Sequence, residues 1–320
     1  MLEKNYVLGL DIGGTNIRTG VVCDDFSLYG FEMTSSVDLF RAPGGEIQAL
    51  ASHVRGYCRR HAEFAFPRAV SIGFPSTINK DKTEVLSTPN LPGFNKLAVV
   101  ELLEKELGLP VYINRDVNLL MMNDIHAYEL EKADIVIGCY IGTGLGNAIC
   151  IGGQMLRGKN GVAGELGHVP VLGSKRVCQC GNVGCMETIA SGKYLEELRE
   201  KHFPKDSLAG LFRDHADSPV LKEYVEYLAI AVALEINILD PDYVILGGGV
   251  LQMQDFPIEL LETYIKHHTR KPLPNDNLQI VISKQNQESG VIGAGMDAFR
   301  RMEKGDDNDS TCIRPCWSYA

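Results

Sequence analysis

The stretch from Gly164 to Glu187 constrains this chain more than any other. It reads Gly164-Glu165-Leu166-Gly167-His168, then after nine residues Cys178-Gln179-Cys180, then Cys185-Met186-Glu187. One imidazole and three thiols this close together form the donor set of a closed tetrahedral Cys3His zinc site. Gly181 and Gly184 fall between the last two cysteines, where a chain wrapping a metal needs a permissive backbone. Buried free thiols are the ordinary alternative, because cysteine often serves as a small apolar core residue. Gln179, Asn182 and the glycines make this a polar loop instead. The spacing therefore predicts His168, Cys178, Cys180 and Cys185 as ligands of a structural zinc ion. Glu165 and Glu187 flank the ligands, and a rigid loop presenting two carboxylates suits a polyhydroxylated ligand, whose hydroxyls donate to them. Either glutamate alone would more often be a solvated surface charge.

The rest of the chain narrows the context. Its 320 residues and 45% apolar content suggest two domains with separate cores. A formal net charge of -10 without a basic run argues against a nucleic-acid partner. Any phosphate must then be held by local backbone amides and a metal. Of nine cysteines, three lie in the cluster, Cys23, Cys58, Cys139 and Cys150 stand in apolar contexts, and Cys312 and Cys316 lie near the end. An odd count without paired spacing points to a reducing compartment. Asp11 comes too early for a signal peptide, and the apolar run Leu228 to Leu239 is too short to span a bilayer and is broken by Glu235. A soluble cytoplasmic protein, with no membrane partner, is expected.

Along the chain, Tyr6 to Ile12 reads as a buried strand, Gly13-Gly14-Thr15-Asn16 as a turn, and Ile17 to Cys23 as a second strand. A helix is expected at 46–61, a strand at 69–74, an irregular segment at Ser87 to Gly93 that its prolines keep from being a helix, and a helix at 97–107 stopped by Gly108. Val111 to Ile113 reads as a strand that leads to Asn114-Arg115-Asp116-Val117-Asn118, followed by a helix at 119–131. The strand Asp134 to Ile141, the turn Gly142-Thr143-Gly144-Leu145-Gly146 and the apolar run Ala148 to Ile151 repeat the opening pattern. Two related α/β domains facing a cleft are the expectation. The smaller spans 1–118 and is completed by a helix at 290–303; the larger spans 119–289 and carries the zinc loop; residues 304–320 form a polar tail expected to be disordered.

Three glycine clusters follow apolar strands, at 13–14, 142–146 and 247–249. Glycine turns between strands mostly bind nothing. A dinucleotide fingerprint or a P-loop would continue into a helix, whereas the first two clusters continue into strands. Together with Asp11 at a strand end they suit nucleotide phosphates plus a magnesium ion, with turn amides on the phosphate oxygens and Asp11 orienting the metal. Asp116, on a short loop at a strand end, is the candidate base, since phosphoryl transfer to a hydroxyl asks for one proton acceptor beyond positioning and charge neutralisation. A helix N-cap is its plain alternative.

Asp11-Ile-Gly-Gly-Thr-Asn-Ile-Arg18, Thr88-Pro-Asn-Leu-Pro-Gly93, Gly164-Glu-Leu-Gly-His168 and Cys178-x-Cys-Gly-x-x-Gly-Cys-x-Glu187 resemble the ROK family (repressor, open reading frame, kinase) over nearly the whole chain to about Arg301. The resemblance implies an actin-like ATPase (ribonuclease H-like) fold and ATP-dependent phosphorylation of a hexose at its 6-hydroxyl. It implies Asp116 as catalytic base and Asn90, Glu165, His168 and Glu187 as sugar contacts, with His168 giving one ring nitrogen to zinc and the other to the sugar. The nucleotide and its magnesium fall to Asp11, Gly13, Gly14, Thr15, Asn16, Arg18, Gly142, Thr143, Gly144, Gly248 and Gly249. A homodimer is also implied. Family repressors carry a DNA-binding domain ahead of the first glycine turn, and only ten residues precede Asp11, which favours an enzyme. Two positions depart from the family glucokinases: Arg115 stands where an asparagine is usual, and Ser76 where a glycine is usual after Pro75. Both lie in the expected hydroxyl-binding shell and argue against glucose. Gly73-Phe-Pro75, Arg115-Asp-Val-Asn-Leu119 and Arg270-Lys-Pro-Leu-Pro274 resemble the branch of the family that acts on D-allose, the 3-epimer of glucose. A glucokinase or fructokinase of the family, or a non-catalytic sugar sensor, are the alternatives.

Overall fold

The computed structural model describes residues 5–41, 43–64, 66–88 and 91–303. The chain divides into two compact units: 1–131, 157–163 and 285–320 form the first, and 132–156 and 164–284 the second. The tail 304–320 lies outside the described residues.

The first unit is built on a five-stranded sheet. Its strands are β1 (Tyr6–Ile12), β2 (Asn16–Cys23), β3 (Leu28–Ser35), β4 (Val70–Phe74) and, after a small two-stranded hairpin of β5 (Thr77–Ile78) and β6 (Val85–Ser87), β7 (Val111–Arg115). The order is β3-β2-β1-β4-β7, with β1 antiparallel to β2 and parallel to β4, and β4 parallel to β7. Apolar runs interrupted only by Asp11 and Ser71 make β1 and β4 buried strands, as parallel pairing requires. Helices α1 (Ser36–Phe40), α2 (Gly45–Arg60), α3 (Val99–Leu107) and α4 (Asp116–Ala127) follow. Gly108 ends α3 in the left-handed conformation at φ 68°, the stop expected of it. The edge strand β3 is absent from the sequence reading, because its residues are half-exposed and show no clean alternation. Two further differences concern helices. Pro92–Phe94 forms a 3-10 turn within the segment expected to be irregular, since proline fits a first helical position. Helix α4 begins at Asp116 and not at Leu119, so Asp116 is its first residue and not part of a loop.

The second unit repeats the plan. Strands β8 (Ile135–Ile141), β9 (Leu145–Ile151), β10 (Gln154–Met155), β11 (Tyr243–Gly247) and β12 (Ile280–Ile282) are ordered β10-β9-β8-β11-β12. β8 is again antiparallel to its hairpin partner and parallel to β11, so the repeat seen in the glycine turns extends to the whole sheet. Helices α5 (Gly192–His202), α6 (Leu211–Asp214), α7 (Pro219–Leu239) and α8 (Ile258–His268) supply its core, in which Phe212, Tyr224, Leu228, Val232 and Ile236 are essentially inaccessible. The last helix, α9 (Ser289–Glu303), belongs to the first unit and packs on α4, β1 and β4. Its glycines serve close packing: a methyl group on Gly293 would lie 2.1 Å from the carbonyl oxygen of Leu119.

Glu235, on α7, is buried at 5% exposure and accepts from Asn147 Nδ2 at 2.7 Å and from Cys139 Sγ at 3.5 Å. Burial pushes its carboxyl up to about 7, with the two hydrogen bonds pulling the other way. Above its ordinary value of 4.5 an unfolded chain ionises this group while the folded chain keeps it protonated, so stability falls as pH rises from there through about 7. Glu235→Gln keeps the acceptor and cannot ionise. It is expected to melt several degrees above the parent at pH 8 and level with it at pH 4; an advantage independent of pH would disprove this account.

Candidate active site

In the first unit the parallel strands carry the candidate side chains at their C-terminal ends, where open α/β sheets bind ligands. Asp11, the last residue but one of β1, is in register with Gly73, and Gly73 is in register with Asn114 of β7. Gly73 sits between the two carboxylate-bearing ends: a methyl group there would lie 3.5 Å from Asp11 Oδ1 and 3.7 Å from Asp116 Cα. Asp116 is half-buried, and its Oδ1 accepts from the amide of Val117 at 2.8 Å. That bond is to the next residue, leaving Oδ2 for another partner; the helix cap position itself is held by Arg115. Burial pushes the Asp116 carboxyl up to about 7; the nearby Asp11 charge adds to this, and the amide and Arg115 oppose it. Asp11 is raised by burial as well, against the pull of Arg18, whose Nη1 stands 3.1 Å from Asp11 Oδ2. A buried carboxyl raised by the charge of a neighbouring carboxylate is a natural place for a divalent cation shared with phosphate oxygens.

The turn after β1 is tight, with the Gly13 amide bonded to the Asn16 carbonyl at 2.8 Å. Gly14 and Thr15 are exposed at its tip, and Arg18 is fixed by Asp11 and by Gln287 Oε1, which accepts from Nε at 2.6 Å. Ser76 follows the end of β4, and its Oγ is buried with no hydrogen-bond partner among the described residues. Such a hydroxyl carries an unmet bond that a ligand hydroxyl or water would complete. Arg115 Nη1 donates to the carbonyl of Ala163 at 2.7 Å. Asn90 lies outside the described residues, while Thr88 just before it is held by Asn95 Oδ1 on its amide at 2.7 Å.

In the second unit the turn Gly142–Gly144 and the segment Gly247–Gly249 come together. The Gly192 and Lys193 amides donate to the Gly142 and Thr143 carbonyls at 2.8 and 3.0 Å, and the Val250 amide donates to Ile141 at 3.0 Å. Gly248, at φ 96°, lies against the backbone of Ile141. The metal-type cluster adjoins this turn, since a methyl group on Gly144 would stand 3.1 Å from Glu187 Oε2. The donor atoms of His168, Cys178, Cys180 and Cys185 all lie within 4.8 Å of one another. Cys178 Sγ is 3.7 Å from His168 Nδ1, and Cys180 Sγ is 3.6 Å from Cys185 Sγ. A tetrahedron with metal–sulfur bonds near 2.3 Å has edges of about 3.8 Å, so the donor set fits zinc. The imidazole is divided as its chemistry suggests: Nδ1 faces the thiols, and Nε2 faces Glu165 Oε2 at 3.6 Å. Glu187 Oε1 accepts from Cys178 Sγ at 3.1 Å, which ties this carboxylate to the cluster.

Behind Asp116 lies a buried polar network that the sequence does not announce. Asn114 Oδ1 accepts from the Arg115 amide at 3.0 Å and from Asn118 Nδ2 at 3.1 Å, and Asn114 Nδ2 donates to Asp297 Oδ1 at 3.1 Å. Asp297, fully buried on α9, also faces Arg301 at 2.9 Å and Lys82 at 3.9 Å. Nothing local in the sequence marks these partners.

Among the described residues, no helix is long and apolar enough to cross a membrane. The ROK family model matches residues 7–298. The chain is 25% identical to the glucokinase of Halalkalibacterium halodurans, over 96% of this chain and 100% of that one. It is 29% identical to the N-acetyl-D-glucosamine kinase of Vibrio cholerae, over 89% of this chain and 97% of that one. The ROK hexokinase structure from Thermus thermophilus superposes with a TM-score of 0.76 at 28% identity, covering 94% of this chain and 100% of that one. The fold is therefore the actin-like ATPase fold of sugar kinases, with two mixed sheets of like order. This chain belongs to the ROK family.

Proposed function

We propose that this protein is an ATP-dependent hexose kinase that phosphorylates the 6-hydroxyl, with D-allose as its preferred substrate. Asp116 is the general base: its free carboxylate oxygen takes the proton of the 6-hydroxyl as the oxygen attacks the γ-phosphorus and ADP departs. The observation that carries this reading is the placing of Asp116, half-buried beside Asp11 with a carboxyl pushed up to about 7, which suits a base working near neutral pH. Ser76, Asn90, Arg115, Glu165, His168 through Nε2, and Glu187 take the ring hydroxyls. Amides of the turns at Gly13-Gly14-Thr15-Asn16, Gly142-Thr143-Gly144 and Gly248-Gly249 cradle the nucleotide, with Arg18 steadying Asp11. Asp11 would hold Mg2+ with the phosphates, and the ion supplies charge neutralisation during transfer. His168, Cys178, Cys180 and Cys185 would hold zinc, which supplies rigidity to the loop that carries Glu165 and Glu187. The similarity to kinases of glucose and N-acetyl-D-glucosamine supports the reaction class.

Allose is favoured by the two positions that depart from the family glucokinases. Ser76 brings a hydroxyl with no partner among the described residues, and Arg115 replaces an amide beside the base with a guanidinium held by Ala163. A site built to bond particular hydroxyls discriminates strongly against an epimer that leaves its groups unpaired. A hexose panel with ATP and Mg2+, followed by ADP release, tests this. Allose is expected to exceed glucose, fructose, mannose and N-acetylmannosamine by about 10²-fold or more in kcat/KM; a preference for glucose would remove the substrate assignment and leave the reaction class. The alternatives of the same family, a glucokinase or fructokinase, would show in that panel, and a homodimer would show in sedimentation.

A further inference from the structure

Lys82 sits at the tip of the β5–β6 hairpin in a local setting that reads as a solvated turn, Lys80-Asp81-Lys82, yet it is 8% exposed. Its backbone is left-handed at φ 55°, and its Nζ has no hydrogen-bond partner among the described residues. Its charge partner, Asp297, is 3.9 Å away. Burial pushes the ammonium down, Asp297 opposes this, and Arg301, Arg157 and Arg300 add to the downward push. For Asp297 burial pushes upward, but Arg301, Lys82 and Arg300 together leave its carboxyl below the usual range. An ammonium held so is poor value for stability alone, because buried ion pairs are often no better than apolar side chains of the same volume.

What Lys82 does have is a connection. The hairpin on whose tip it stands begins next to Ser76 and ends at Ser87-Thr88, just before Asn90. The carboxylate it faces is bonded to Asn114, which in turn holds the amide of Arg115 beside Asp116. Asp297 also anchors Arg301, whose Nη2 donates to the Ile113 carbonyl of the same strand at 2.9 Å. One buried carboxylate is thus common to the hairpin and to the β7–α4 junction. We propose that Lys82 is a positioning residue for the sugar, pinning the β5–β6 hairpin to Asp297 so that Ser76 at its start and Thr88 at its end keep a fixed offset from Asp116. This rests on the kinase reading, and it adds a specificity element that touches neither sugar nor nucleotide.

The test is Lys82→Met, which keeps length and volume and removes only the charge, with Lys82→Arg as the conservative variant. Lys82→Met is expected to raise KM for the best hexose about tenfold or more, since small displacements of positioning groups carry large penalties. KM for ATP should stay within about twofold, and because Asp297 keeps Arg301 at 2.9 Å the melting temperature should fall by no more than a few degrees. Lys82→Arg should recover part of the loss, and Ser76→Ala should cost less in the Lys82→Met background than in the parent, as coupled groups do. Unchanged hexose KM in Lys82→Met, or equal losses for hexose and ATP together with a lower melting temperature, would overturn the proposal. A parent protein that binds hexose without turning over ATP would refute the kinase reading instead, and the same comparison is then read as hexose affinity by calorimetry.

Discussion

Asp116→Ala is expected to lower kcat/KM for hexose phosphorylation by roughly 10²–10⁴-fold while leaving hexose affinity within a few-fold of the parent. The carboxylate is placed at the first residue of α4, where the helix N-terminus and the Val117 amide hold its orientation. Those contacts favour the charged form; burial and the neighbouring Asp11 charge oppose it more strongly and push the carboxyl up to about 7. A base works only after losing its own proton, so kcat/KM should rise with pH through about 7 and level off above it. Asp116→Asn keeps the shape and the acceptor for the Val117 amide, and should remove this limb along with most of the rate. Turnover and pH profile by coupled ADP release, with hexose binding by calorimetry, separate the outcomes. A non-catalytic sugar sensor should keep its signalling in Asp116→Ala; retention of turnover within about threefold of the parent would strip Asp116 of the role.

How far the sequence could be read depended on where each feature drew its cause. Strands β1, β4, β8 and β11 are buried in parallel pairings, so their apolar runs announce them, and Gly108 announces the end of α3 through its own backbone freedom. The edge strands β3 and β10 are half-exposed, and the pattern that would mark them is diluted by polar residues. That His168, Cys178, Cys180 and Cys185 come together was legible because all four fall within one short segment. Which imidazole nitrogen faces the thiols was not, since it depends on how the loop folds back through the Pro170–Cys185 and Val177–Val183 bridges. Asp116 could be picked out as a candidate base with a helix cap as its alternative, but not as the first helical residue with Arg115 at the cap, because Arg115-Asp116-Val117-Asn118 does not mark that one-residue difference. Lys82 and Asp297 show the limit most plainly. One looks like a surface charge and the other like a polar interruption in a glycine-rich helix, and only the packing of α9 brings them together.

Cys180→Ser should abolish stoichiometric zinc binding and raise KM for the hexose by about 10²-fold, with a much smaller effect on KM for ATP. Of the four candidate donors Cys180 is the exposed one, so its loss removes a donor without opening a cavity in the core of the second unit. Metal binding of this kind contributes on the order of 10 kcal/mol to the order of the segment that holds the ion, far more than the short bridges of this loop can supply. Without it, nothing holds the four donors at fixed distances from one another, and the segments that carry Glu165 and Glu187 lose their common anchor. The loop's own apolar side chains give little support: Leu172 is 99% exposed and Val177 is 77% exposed. Removing the metal from the parent with a chelator should reproduce the variant's kinetics, and adding zinc back should restore the parent but not Cys180→Ser. Metal analysis and hexose titrations on the same samples decide the matter. If zinc is lost and the hexose still binds with parental affinity, the loop does not position Glu165, His168 and Glu187 on the sugar, and the recognition shell must be sought in the first unit alone.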